Sequence, residues 1–213
     1  MLAEPVVMID FETTGLSPDM GDRITEVAAL RIVDGRIVER FVSLVNCHVR
    51  IPPFITSLTG ITQQMVDGAP PATDVVPRLL EFIGADTLAA HNASFDEKFL
   101  RAEGGRLGLE SGHGGTVCSL KLSRRVFPQL GSYKLGTLSG RLGIPFRGTA
   151  HRAEADAEVA AELLLHIGRH LASSYGIARV DAGLLLSVNR LAAAKVHTWL
   201  QKHAATGAVP PPA

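Results

Sequence analysis

The stretch that most constrains this chain is residues 6–16, VVMIDFETTGL. Val6, Val7, Met8 and Ile9 run without a polar break, the pattern of a strand covered on both faces. The run ends in Asp10 and Glu12, which an ordinary core strand would not carry. Side chains alternate along a strand, so these two acids share one face, roughly 7 Å apart along the backbone. Neighbouring carboxylates repel each other and resist burial unless a cation offsets them. Thr13, Thr14 and Gly15 then form a small polar turn, at which Gly15 can take positive φ and let a ligand come close. The plainer alternative is a strand end with solvated acids, and the rest of the chain decides between the two.

A chain of 213 residues, 46% of them hydrophobic, has room for one sizeable domain with an appendage. Lys+Arg and Asp+Glu both number 21, which argues against coating long nucleic acid through phosphate contacts alone. It permits a site that grips a few nucleotides through metal ions. Cys47 and Cys118 form no CxxC pattern and have no metal-ligand neighbours in sequence, so neither a disulfide nor a zinc site is expected. Residues 1–5 include an acid and no basic run, and no apolar stretch is long enough to span a membrane. The expectation is a cytoplasmic protein with no membrane partner.

Residues 24–33 and 36–45 are β-rich and flank Asp34-Gly35, a signal for a two-residue hairpin turn. The first three strands should therefore be antiparallel neighbours, with the acidic strand at one side of the trio. In IPPFITSLTGIT, residues 51–62, prolines and glycine punctuate short helical turns, and Ile61 reads as a loop core contact or an apolar surface for a base. Thr73 is placed to cap a helix reaching about Gly84. A short strand, residues 87–90, leads into HNASFD, where Ser94 and Glu97 fit a capping box and put Asp96 in the first helical turn. An acid there also suits the helix dipole, and His91 equally fits a core histidine at a strand end. The helix at residues 120–127 carries Lys121, Arg124 and Arg125, commonly just a solvated face. Farther on, Val159, Ala160, Leu163, Leu164 and Ile167 make one apolar helical stripe, and Asp156 projects back onto it. His151, five residues earlier, belongs on the loop before that helix.

Four acids thus stand in unusual places, with one histidine near the last. All-oxygen donor sets suit Mg²⁺ or Mn²⁺, and a pair of such ions serves in-line phosphoryl displacement. DFETTGL, HNASFD and HRAEAD, in this order, resemble the three motifs of the DnaQ-like (DEDDh) 3′–5′ exonucleases, and residues 51–62 resemble a segment of the proofreading epsilon subunits of bacterial replicative polymerases. The resemblance implies a ribonuclease H-like α/β fold: a mixed five-stranded sheet with helices on both faces. It further implies two divalent ions, Mg²⁺ or Mn²⁺, held by Asp10, Glu12, Asp96 and Asp156, with His151 as general base. Thr13, Thr14 and Gly15 would meet the terminal 3′-OH, Leu16 and Ile61 would wedge and stack the last bases, and His91, Asn92 and Phe95 would line the groove.

The implied reaction is hydrolysis of terminal phosphodiesters of single-stranded or frayed DNA, releasing nucleoside 5′-monophosphates. The implied partners are single-stranded 3′ ends, DNA ahead of RNA, and a DNA polymerase. Two rivals are an RNA-trimming or oligoribonucleotide-degrading enzyme and a polymerase-associated assembly subunit. An exonuclease domain is expected over residues 1–174, a helical extension over 175–205 and a disordered tail over 206–213. The apolar face of the extension can pack on its own domain, the favoured reading, or pair two chains as a homodimer.

Overall fold

The computed structural model describes residues 4–206. Its frame is a five-stranded mixed sheet in the order β3-β2-β1-β4-β5. β1 (Val6–Thr13), β2 (Ile24–Val33) and β3 (Arg36–Leu44) run antiparallel, while β4 (Thr87–Ala90) and β5 (Thr116–Cys118) continue the sheet parallel to β1. The β2–β3 turn places Asp34 and Gly35 at φ 50° and 77°. Two consecutive positive φ values match the right-handed twist of a hairpin, and asparagine, aspartate and glycine tolerate them best.

The unbroken apolar run of β1 has a direct cause. Val6 and Met8 face one core cluster, built with α5 (Ser119–Val126), α6 (Leu135–Leu142) and α7 (Ala153–Tyr175). Val7, Ile9 and Phe11 face the other, built with α3 (Ala72–Ile83) and α4 (Ser94–Arg106). Both faces of the central strand are buried, so both alternating positions must be apolar. α1 (Pro53–Thr59) and α2 (Gln63–Asp67) close a smaller cluster of Cys47, Ile51, Ile55, Ile61 and Val66. The two cysteines are free and buried in separate clusters.

α8 (Ala182–Arg190) and α9 (Ala193–Thr206) pack onto the chain's own core: Leu184, Leu185, Val188, Val196 and Leu200 join the same cluster as Leu163 and Leu164 of α7. The expected tail falls outside the described residues beyond Thr206. Among the described residues no helix is long and apolar enough to cross a membrane.

Two local expectations need correction. α3 is preceded by Pro71 in extended backbone and begins at Ala72, so Thr73 lies inside the first turn. α4 begins at Ser94 as expected, but no side chain caps it, because Ala93 before it is already helical. Glu97 instead accepts a hydrogen bond from the Thr116 hydroxyl. Asp96 still falls in the first turn.

The ladder between β1 and β4 pairs Val6–Met8 with Thr87–Ala89 and stops. β1 continues alone beside β2 as far as Thr13. The two parallel strands therefore part at their carboxyl ends, the usual place for a site in an open α/β sheet.

Candidate active site

Asp10 and Glu12 have the parity of Val6 and Met8 and point to the face that α7 crosses. From the other side, α4 brings Asp96 to the place β4 vacates, and the Phe11 N–H donates to its Oδ1 at 3.2 Å. Asp156 lies in the first turn of α7. The His151 N–H donates to Asp156 Oδ2 at 3.0 Å, with His151 held at φ 62°. Glu12, His151 and Asp156 each present a ligand atom, all within 4.8 Å of one another.

The electrostatics agree with this convergence. Burial, then repulsion from Asp96, Asp156, Glu12 and Glu26, lifts the Asp10 carboxyl well above the usual carboxylate range. Burial pushes Glu12 up to about 8, with Asp156 and Glu26 adding to the effect and Arg152 opposing it. Asp96 is also pushed up to about 8, by burial first and against the hydrogen bonds from its own N–H and that of Phe11. Burial raises Asp156 too, while the His151 N–H and ring pull it down. Four carboxyls that each resist ionisation beside the others suit a doubly charged cation, and an oxygen-dominated donor set suits Mg²⁺ or Mn²⁺.

Two residues outside the expected set complete the site. Glu26 of β2 stands directly opposite Glu12 in the ladder and is 3% exposed. Arg152 grips it through Nε, at 3.1 and 3.2 Å, and Nη2, at 2.5 Å. The Ala153 N–H, at the start of α7, donates to Glu26 Oε2 at 2.9 Å. Like charges facing each other across a ladder destabilise it; Arg152 offsets this pair and fastens the start of α7, and with it Asp156 and His151, to the sheet. A partial signal was present: Glu26 is the one charge in ITEVAAL, but its place opposite Glu12 is set by the connection through residues 14–23, which the Asp34-Gly35 turn does not fix.

The expected nucleotide-binding residues divide. Leu16, 78% exposed, is free to meet a base, as is Met20 at 84%. The Lys98 ammonium donates to the Leu16 carbonyl and lies 5.2 Å from the centre of the half-buried Phe95 ring. Asn92 is exposed at φ 71° after β4. Thr13 and Thr14 are buried, and their hydroxyls are used inside the turn, with Thr13 donating to the Gly15 carbonyl at 2.6 Å and Thr14 to Asp22 Oδ1 at 3.3 Å. The Thr14 N–H is used as well, donating to the Arg23 carbonyl at 2.9 Å.

Three expectations are corrected here. Gly15 does not adopt positive φ; a Cβ there would meet the Asp22 carboxylate at 2.5 Å, so glycine makes room for Asp22. Ile61 is 0% exposed within the α1–α2 cluster and offers no surface to a base; Phe54 and Leu58 are the exposed apolar side chains of that segment. His91 is half-buried, with Nδ1 bonded to the Ser119 hydroxyl at 2.9 Å and Nε2 to the Tyr133 carbonyl at 3.0 Å, so its ring ties β4 to α5 and the α6 approach. Burial, followed by nearby Arg124, lowers its pKa against the pull of that carbonyl.

Comparison with known proteins agrees with this geometry. The family profile described as "Exonuclease" matches residues 7–164, which includes all four acids and His151. The chain belongs to the exonuclease family. The DNA polymerase III subunit epsilon of Aquifex aeolicus is 36% identical over 171 residues, 80% of this chain and 84% of that one. The 3′-5′ exonuclease DinG of Bacillus subtilis is 39% identical over 76% of this chain, and DNA polymerase III PolC-type of Caldanaerobacter subterraneus is 40% identical over 75%. This exonuclease spans only 17% and 11% of those two longer relatives. Among solved structures, exonuclease X in complex with 5′ overhanging duplex DNA superposes with a TM-score of 0.67 at 28% identity, covering 86% of this chain and 99% of that one. Membership makes the chain a nuclease, and the ribonuclease H-like α/β fold expected from the motifs is the one observed.

Proposed function

We propose that this exonuclease removes nucleotides from the 3′ end of single-stranded or frayed DNA, releasing nucleoside 5′-monophosphates. The observation that carries the proposal is the meeting of Glu12, His151 and Asp156 within 4.8 Å beside Asp10 and Asp96. Asp10, Glu12, Asp96 and Asp156 would hold two divalent ions, Mg²⁺ or Mn²⁺. When bound, such ions offset the charge of the phosphodiester and make water a better nucleophile at neutral pH.

The chain's own groups supply the rest. His151 lies outside α7 with its side chain exposed, and its imidazole accepts the proton of the attacking water. The Thr13–Gly15 backbone, braced by Asp22, receives the terminal sugar and so restricts attack to an end. Leu16 stacks on the last base without reading its identity, since every base has an apolar face. Association with a DNA polymerase belongs to the same proposal, supported by the likeness to the epsilon subunit and to PolC.

The test uses 5′-labelled single-stranded DNA, mispaired duplex DNA and short RNA with Mn²⁺. Stepwise shortening with mononucleotide release, fastest on single-stranded and mispaired DNA, is expected. Internal cuts, or no shortening of any substrate by metal-loaded protein, would overturn the proposal. Faster trimming of RNA would replace the substrate class and keep the reaction.

A further inference from the structure

The chain is neutral as a whole, but its charge is unevenly placed. Residues 111–153 hold seven lysines and arginines and no aspartate or glutamate, leaving 14 of the 21 basic residues to face all 21 acids elsewhere. Of the seven, Arg152 is paired with Glu26. Lys121, Arg124, Arg125, Lys134, Arg141 and Arg147 take part in no ion pair among the described residues, a state they share with several basic residues elsewhere, such as Arg36 and Arg50; what sets the segment apart is its lack of acids. An ordinary solvated face has no reason to exclude every acid over 43 residues.

Three of these cations gather at the catalytic edge of the sheet. α5 starts immediately after β5, and the Ser119 hydroxyl is bonded to the His91 ring at the end of β4. Lys121 and Arg124 are exposed on α5, and the Arg124 guanidinium lies 5.8 Å from the centre of the Tyr133 ring. The Tyr133 carbonyl bonds His91, and Lys134, the next residue, is exposed just before α6. Arg125 turns away and donates to the carbonyls of Leu191 and Lys121. β1, β4 and β5 are parallel, so this group flanks the carboxyl end of the sheet, where Asp10 and Glu12 of β1 meet Asp96 of α4.

We propose that Lys121, Arg124 and Lys134 form a phosphate-binding surface for the part of a nucleic-acid strand upstream of the end that enters the acid cleft. The inference rests on the exonuclease reading above and extends it from the terminal nucleotides to the strand behind them. The chain as a whole is neutral and offers a polyanion no net attraction, so unpaired cations beside the acid cleft supply it locally. The surface carries no base specificity, because phosphates position a strand without identifying its sequence.

The test compares wild type with K121Q/R124Q/K134Q, and with the charge-reversed K121E/R124E/K134E, on single strands of about 3 and about 20 nucleotides. The penalty on kcat/KM is expected to grow with length, from under about 2-fold on the short strand to roughly 10–100-fold on the long one, mostly in KM. Binding of a fluorescent strand, read by anisotropy with Ca²⁺ replacing Mg²⁺, should lose about two units of its log–log salt slope, since each phosphate contact on a single strand contributes about 0.7. Circular dichroism checks that the variants fold. Equal penalties at both lengths, or an unchanged salt slope, overturn the surface; unaltered long-strand kinetics would assign the cations to an acidic protein instead. A wild type that binds the long strand with the predicted slope but cuts neither length refutes the exonuclease reading while leaving the surface standing.

Discussion

Replacing Glu12 with glutamine should stabilise the metal-free protein at alkaline pH. Folding moves the Glu12 carboxyl from a usual value of 4.5 to about 8, through burial and the neighbouring Asp156 and Glu26. A carboxyl with a raised folded-state pKa binds its proton more tightly folded than unfolded. The stability linked to that proton is fully present below about 4.5 and is lost as pH rises through about 8. The whole interval corresponds to at most about 5 kcal/mol. Glu12 keeps part of its surface in water, so roughly 1–3 kcal/mol should be realised. For a chain of this length that is a rise in Tm of about 2–10 °C. Thermal unfolding in EDTA at acidic, neutral and alkaline pH should therefore give matching curves at the acid end and a gap in favour of the variant that widens toward alkaline pH. Saturating Mn²⁺ should close or reverse the gap, because the cation then also offsets the Glu12 charge, which only the wild type carries. A folded Glu12→Gln protein no more stable than wild type at alkaline pH would show that the acids are solvated, and the case for a shared cation would fail.

Three other substitutions probe separate parts of the site. His151→Ala should lower kcat by about 10²–10⁴-fold, while Mn²⁺ still raises the Tm; a variant that no longer responds to Mn²⁺ would make His151 a structural residue. Glu26→Ala strands the Ala153 N–H and frees Arg152, and should cost roughly 2–4 kcal/mol of stability together with most of the activity; full activity in a stable variant would end the positioning role of this pair. Gly15→Ala drives a methyl into the Asp22 carboxylate, 2.5 Å from the ideal Cβ position, and should raise KM more than it lowers kcat; unchanged kinetics would remove the turn from the substrate site.

Much of the centre was legible because strands and helices impose fixed periods. Parity along β1 put Asp10 and Glu12 on one face, and the apolar stripe of α7 carried Asp156 back to them. What escaped was set by contacts between segments distant in sequence. Ile61 sits between two polar-looking stretches, and only the folding of residues 47–66 into a cluster buries it. Gly15 owes its identity to Asp22, seven residues on, and its φ is ordinary. The capping box at Ser94 gave way because the chain is already helical at Ala93. Glu26 was visible as a charge, but its purpose needed Arg152, 126 positions later.

That reach along the chain has a consequence for biosynthesis. Asp10 and Asp156 come together only after the long α7 has docked across β1 and β2, nearly three-quarters of the way along the polypeptide. A nascent chain still missing that helix has two glutamates abreast on its first hairpin, at positions 12 and 26, and no guanidinium between them. On the function proposed above, such a chain would lack one ion ligand, Asp156, and the base, His151, so nucleolytic competence would come only once α7 has docked.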